Sequence, residues 1–236
     1  FINDPEVGVD LSDFHQIGID GVTFDDEIWA LPQDICPRSL LFYNMDFFDE
    51  AGIPYPDENW TLDDMVQAAQ ALTIGSRPRV DRFGLAWIPP YATSMVFGFG
   101  GQYWSEDGTR NVINSPESVA ALEFLQELVY DLGVAPSYAD APYGEAVELF
   151  KGGRTAMLIT GAYHIPSVAR DVPEIRFGVA PMPLTPMGRP TMIHQCIWTM
   201  STQTDHPDEA WLLIKHLSSP EVLEEYWQRT WVAAPA

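Results

Sequence analysis

Five histidines (His15, His164, His194, His206 and His216) and two cysteines (Cys36 and Cys196) are the side chains best suited to metal or nucleophilic chemistry. Their spacing argues against it. No HExxH or paired histidine spacing occurs and no CxxC is present, so no metal site is expected. No GxSxG elbow is present. "GFGGQYW" (Gly98–Trp104) lacks the GxGxxG spacing, and no helix is expected directly after it. "FKGGRTA" (Phe150–Ala156) carries Lys151 and two glycines but no GK[ST], so it is not a phosphate loop. The 34 acidic residues leave a glycosidase carboxylate pair open by count alone, yet most of them fall on helix faces expected to be solvated. Asn59-Trp60-Thr61 matches a glycosylation sequon, a pattern short enough to arise by chance. What remains is a set of aromatic and polar residues at strand ends and in loops. Binding residues commonly sit there on a rigid scaffold.

The composition narrows the partners. Twelve Lys and Arg stand against 34 Asp and Glu, a formal net charge of -22. Such a surface repels phosphate backbones and anionic lipid, which excludes nucleic acid as a partner. No apolar run is long enough to span a bilayer. Hydrophobic residues make up 46% of the 236, enough for a sizeable core, and eight of them are Trp. A surplus of aromatics serves cores, and equally serves a cleft for carbohydrate or aromatic ligands. The opening "FINDPEVG" reads as the start of a mature or trimmed chain, with no signal segment in this sequence.

These candidate binding residues need elements to hold them. "NWTLDDMVQAAQALTIG" predicts a helix capped by Thr61, with Asp64 closing a capping box and Met65, Ala68, Ala69 and Leu72 on one face. "NSPESVAALEFLQELVYDLG" predicts a second, with Ser115 as cap, Pro116 in the first turn and Gly133 at the end. Its expected buried stripe is Val119, Leu122, Leu125, Leu128, Val129 and Leu132. Pro207 and Pro220 open two successive helices, and "YGEAVELFKGG" predicts a shorter one. Strands are expected at "EIWALP", "RSLLFYN", "RFGLAW", "TAMLIT", "IRFGVAPM" and "CIWTMS", each short, apolar and bounded by Gly, Pro or charge. Asp107-Gly108 marks a hairpin turn. Strands alternating with helices give an α/β architecture. In "LFYNMDFFDEAGIPYP", Phe42, Tyr43, Phe47 and Phe48 read as core, Gly52 as a helix stop, and Pro54 and Pro56 as bars to its continuation.

Taken in order, "GVTFDDEIWALP", "LLFYNMDFFDEAGI", "NWTLDDMVQAAQALT", "NSPESVAALEFLQELV", "LFKGGRTAMLITGAY", "FGVAPMPLTPMGRPT" and "HPDEAWLLIKHLSSPEVLEEY" resemble the extracellular solute-binding proteins of ABC importers, the sugar-binding family similar to maltose-binding protein. Single segments are moderately specific; their joint order covers essentially the whole chain. The resemblance implies a periplasmic-binding-protein type II-like α/β fold, with two lobes, a hinge and ligand held between them. Lobe 2 would span residues 39–193 and lobe 1 would be built from 1–38 and 194–236. Members of the family normally carry more chain on both sides of these segments. The chain therefore looks like a central fragment, with lobe 2 nearly complete, lobe 1 partial, and open sheet edges that could make oligomer contacts.

The implied function is reversible sugar binding without catalysis, outside the cytoplasm and in partnership with membrane permease subunits; no cofactor is implied. A polyol, polyamine or peptide ligand, or a carbohydrate hydrolase, stand as alternatives. The resemblance also nominates site residues. Tyr163, in "TGAYHIP", replaces an aromatic that stacks on sugar in the family. His194 and Gln195 stand at the second crossover and Arg38 at the first. Tyr91 and Trp87, in "AWIPPYATS", border lobe 2, and Trp231 lies near a third crossover. Trp60, Trp104 and Trp211 are assigned to packing or surface. Cys36 and Cys196 fall beside the two crossovers, where a disulfide could staple them.

Overall fold

Short apolar strands bounded by turn residues cannot bury both faces alone, and here they gather into small sheets covered by capped helices. The structure, a computed structural model, describes residues 1–2, 4, 6, 8–88, 93–142, 145–230 and 234–235. The chain divides into two units. Unit 1 comprises Phe1–Pro37, Ala162–Pro166 and Ile193–Ala236; unit 2 comprises Arg38–Gly161 and Ser167–Met192. The segment Ala162–Pro166, which the sequence reading leaves inside lobe 2, groups with unit 1.

Unit 1 begins with helix α1 (Gln16–Asp20) and a hairpin of β1 (Thr23–Phe24) and β2 (Glu27–Ile28). Its two loop residues, Asp25 and Asp26, take φ of 51° and 62°, the left-handed pair that matches the twist of a two-residue hairpin. Strands β3 (Leu31–Pro32) and β4 (Asp34–Pro37) follow. The sequence run "EIWALP" is therefore two strands, β2 and β3, rather than one.

Unit 2 starts at β5 (Leu40–Asn44), which runs into α2 (Met45–Ala51). The Asn44 side chain accepts the backbone N–H groups of Asp46 and Phe47, and Gly52, at φ 65°, ends the helix in the left-handed region. Helix α3 (Leu62–Leu72) carries the complete Thr61–Asp64 capping box and buries the expected face of Met65, Ala68, Ala69 and Leu72. Next come β6 (Ile74–Ser76), β7 (Arg79–Trp87), α4 (Thr93–Gly98), α5 (Pro116–Tyr130), α6 (Glu145–Lys151), β8 (Thr155–Thr160), α7 (Ile165–Asp171) and β9 (Phe177–Pro181). The strands form one mixed sheet in the order β6-β7-β8-β5-β9, parallel only between β7 and β8. Phe42, Phe48, Phe150, Leu85, Met157 and Leu158 are fully buried around it. Close approach is built in at Gly84, where an added Cβ would fall 1.9 Å from the Ala69 carbonyl oxygen of α3.

Helix α5 departs from its expected stripe. Val119 and Leu122 are 40% and 54% exposed, while Ser118 and Ala121 are buried with Leu125, Leu128 and Val129. The reason is space: α4 and α5 pack together, and the Gly101 backbone that follows α4 comes so near that a Cβ there would lie 2.3 Å from the Ser118 hydroxyl. Only a small residue fits at Ser118. The Asp107-Gly108 turn forms as expected, joining Trp104 and Asn111 in an antiparallel bridge.

The chain returns to unit 1 through β10 (Ile193–His194), which pairs antiparallel with β4. Strand β11 (Ile197–Trp198) pairs with β3, helices α8 (Pro207–Leu217) and α9 (Pro220–Thr230) follow, and β12 (Ala234–Pro235) takes the other side of β4. Phe14, Ile19, Leu31, Trp211, Ile214 and Leu223 make the core of this unit.

Candidate functional site

In unit 1 the nominated residues collect around β4. The register sets His194 opposite Cys36 and Ile193 opposite Pro37. Gln33 donates its backbone N–H to the Cys196 carbonyl at 2.8 Å, and the Cys196 N–H donates to Asp34 Oδ1 at 2.9 Å. The 3-10 turn Ala162–His164, with the Tyr163 and His164 rings 4.2 Å apart, packs beside the same strand. Tyr163, His194 and Gln195 are all half-buried. The Gln195 amide is turned inward: Nε2 donates to the Gly18 carbonyl at 3.1 Å, and its head group closes against Gly21.

In unit 2 the nominated residues lie at one end of the sheet. Trp87 closes β7 and stands beside Ile159 of β8, which in turn faces Leu41 of β5. Arg38 precedes β5, and its backbone N–H donates to the Met192 carbonyl at 2.8 Å. Sequence-distant residues thus reach one sheet end because parallel β7 and β8 finish where antiparallel β5 begins. Tyr91 and Trp231 lie outside the described residues.

The disulfide is not formed: both cysteines are thiols. The register explains this. Cys36 faces His194, while Cys196 sits by Gln33 and Asp34, so the two are diagonal neighbours. Such neighbours stand about 7–8 Å apart, beyond the usual reach of about 4.4–6.8 Å between bridged Cα atoms. Cys36 Sγ instead donates to the Pro37 carbonyl at 3.6 Å.

The packing assignments divide. Trp211 is buried in the unit 1 core and Trp60 packs on Phe48 at 6.0 Å, whereas Trp104 is 58% exposed on its hairpin. A cavity of about 340 Å³ in unit 1 is lined by Trp29, Trp198 and Trp211 with Asp4 and Glu27. None of the nominated residues among the described ones lines it, and its floor of Leu31 and Ile214 is the unit's own core.

Sequence spacing missed one constellation. Asp34, His194 and Cys196 each bring a ligand-capable atom within 4.8 Å of the others. Asp34 carried no local signal, because its neighbours in space are about 160 residues away in the chain.

Elsewhere the perturbed groups serve structure. Hydrogen bonding to Asp49, with Asp46 adding to it, holds the exposed Arg176 guanidinium above its usual range. Burial pushes the Tyr43 phenol up and the Arg82 guanidinium down. The Arg82 guanidinium lies over the Phe47 ring at 3.9 Å while its Nε donates to the Leu72 carbonyl.

Comparison with known proteins agrees with this architecture. A binding protein of Brucella abortus (strain 2308) is 26% identical over 215 residues, covering 89% of this chain and 49% of the relative. The galactooligosaccharide-binding protein of Bacillus subtilis (strain 168) is 25% identical over 173 residues, 70% of this chain and 38% of that protein. The chain thus spans about half the length of the first of these relatives, and less of the second. Among solved structures, an ABC substrate-binding protein of Listeria monocytogenes in complex with cycloalternan superposes with a TM-score of 0.86 at 27% identity, covering 97% of this chain and 57% of that one. Maltose-bound MalE3 of T. maritima gives 0.78 at 26% identity, with 95% and 59% covered. The fold is that of the periplasmic-binding-protein type II sugar-binding proteins. The family model for bacterial extracellular solute-binding proteins matches residues 4–224, and the chain belongs to that family.

Proposed function

We propose that the chain is the sugar-binding part of the substrate-binding component of an ABC importer, acting by reversible binding and not by catalysis. The observation that carries this reading is the likeness over nearly the whole chain to two solved structures holding oligosaccharides, cycloalternan in one and maltose in the other. Both exceed 25% identity. The family and the relatives named are binding proteins.

The residues we assign to the ligand are Tyr163, His194 and Arg38, with Trp87, Tyr91 and Trp231 as further aromatic surfaces. A sugar offers C–H faces that pack on aromatic rings and hydroxyls that need hydrogen-bond partners at the ring edges. Tyr163 supplies a ring and a phenol together; His194 and Arg38 supply polar heads. Gln195 is assigned a supporting part, because its amide already holds the Gly18 carbonyl. The partners on this reading are a small sugar and the permease subunits, and the place of action is outside the cytoplasm.

The test is calorimetric titration and thermal shift with maltose, maltotriose and galactooligosaccharides, against polyols and polyamines as contrasts. A sugar present at 100 times its Kd should stabilise the chain by about 2.7 kcal/mol and be recovered unconsumed. Tyr163→Ala should abolish the effect and Tyr163→Phe should retain most of it. A shift from spermidine and none from any sugar, or steady release of cleaved product, would overturn the reading.

A further inference from the structure

We propose that Asp34, His194 and Cys196 form a binding site in unit 1 for a borderline-soft divalent cation of the zinc class. The site shares His194 with the residues assigned to the sugar, and its test below reads metal binding alone.

Two observations support it. The first is the ligand set: a carboxylate, an imidazole and a thiol within 4.8 Å of one another. Cys sulfur and His nitrogen select zinc-like ions over calcium or magnesium, and three protein ligands leave a fourth tetrahedral position for water or an outside donor. The second is the state of Asp34. It is 4% exposed, yet among the described residues no Lys or Arg pairs with it, and the Cys196 backbone N–H is its hydrogen-bond donor. A buried carboxylate is ordinarily paired with a cation or coordinated to a metal. A cation bound there would place positive charge beside this buried carboxylate.

The backbone holds the ligands in place. His194 lies in β10, locked to β4 by the pairing that sets it opposite Cys36. Cys196 is fixed on both sides, by its carbonyl to Gln33 and its N–H to Asp34. Metal bond lengths of roughly 2.0–2.3 Å put ligand atoms about 3.3–3.8 Å apart in a tetrahedral shell. A net charge of -22 raises the local concentration of any cation, so weak surface binding must be separated from the site.

The experiment adds Co²⁺ and then Zn²⁺ to the reduced chain, at high ionic strength with excess Mg²⁺ to occupy surface carboxylates. One equivalent of Co²⁺ should give a thiolate-to-cobalt charge-transfer band in the near ultraviolet and visible bands of tetrahedral intensity, both bleached by one equivalent of Zn²⁺. Cys196→Ser should remove the charge-transfer band. His194→Ala and Asp34→Asn should each weaken binding on the order of 100-fold, since even outer-shell partners of metal sites cost about 10–100-fold. Cys36→Ser should keep the band, and circular dichroism reports whether each variant is folded. No charge-transfer band at one equivalent overturns the proposal. So does a band that survives in folded Cys196→Ser, or one that disappears in Cys36→Ser alone.

Discussion

The two units contain the same kinds of element and bury them differently. In unit 2 the middle of a five-stranded sheet, at β5 and β8, is buried, and Phe42, Phe48 and Phe150 are wholly hidden. Phe42 meets Phe150 edge-on at 6.3 Å and stacks on Phe177 at 6.0 Å, so residues from β5, α6 and β9 interlock. In unit 1 the strands are two to four residues long and drawn from both ends of the chain; large apolar side chains remain on its surface, as Tyr138 and Met187 do in unit 2. Phe24 is 69% exposed, Trp29 62% and Leu212 69%. The difference is one of strand length, since both units pair strands distant in sequence. Leu40 of β5 pairs with Thr160 and Pro181 in unit 2, as Cys36 of β4 pairs with His194 in unit 1. Strands β5, β7, β8 and β9 run five to nine residues, so more residues share the burial that each pairing brings.

Substitutions can break or sharpen this contrast. The largest effect is expected from Phe48→Ala, which empties a fully buried site between α2, Tyr43 and Trp60 and should destabilise unit 2 by about 3–5 kcal/mol in denaturant unfolding. A loss under about 1 kcal/mol would mean that unit 2 is not the tightly packed half.

A middle effect, about 1 kcal/mol, is expected from Thr61→Ala, which removes the cap of α3. That loss should depend on pH. The Thr61 hydroxyl and backbone N–H hold the Asp64 carboxyl below its usual value of 3.8. A depressed folded pKa adds stability that is present above 3.8 and disappears as pH falls through the lower folded value. The gap between wild type and Thr61→Ala should therefore narrow in acid, and NMR titration should show Asp64 moving toward 3.8 in the variant. An unchanged Asp64 titration would disprove the coupling.

The smallest effect is expected at Trp29→Ala in unit 1. The indole is mostly exposed, and its Nε1 holds the Phe24 carbonyl at 3.2 Å. A change under about 0.5 kcal/mol is expected. A loss as large as that of Phe48→Ala would show that the exposed aromatic face of unit 1 is buried in solution.

Legibility in the sequence followed the range of the signal. The Thr61 and Ser115 caps, the Gly52 stop, the buried face of α3 and the Asp107-Gly108 turn each depend on residues within a few positions, and all were readable. The α5 stripe was not: Gly101, a residue of a different segment, lies against Ser118, which faces inward with Ala121 while Val119 and Leu122 face out. The family was readable because the order of many such local signals is itself specific, and the match over residues 4–224 bears it out.

The chain by itself determined helices α3, α5, α6, α8 and α9, the Thr61 and Ser115 caps, the main strand-forming runs of unit 2, a strongly negative charge, and its family. All of these rest on local backbone preference or on summed composition. Only the tertiary structure decided that β5 lies between β8 and β9, that Cys36 faces His194 rather than Cys196, and that Asp34 is buried beside His194 and Cys196. Register is the physical reason. Alternate residues on a strand point to opposite faces, so which of them meet depends on a pairing between strands that no local pattern encodes.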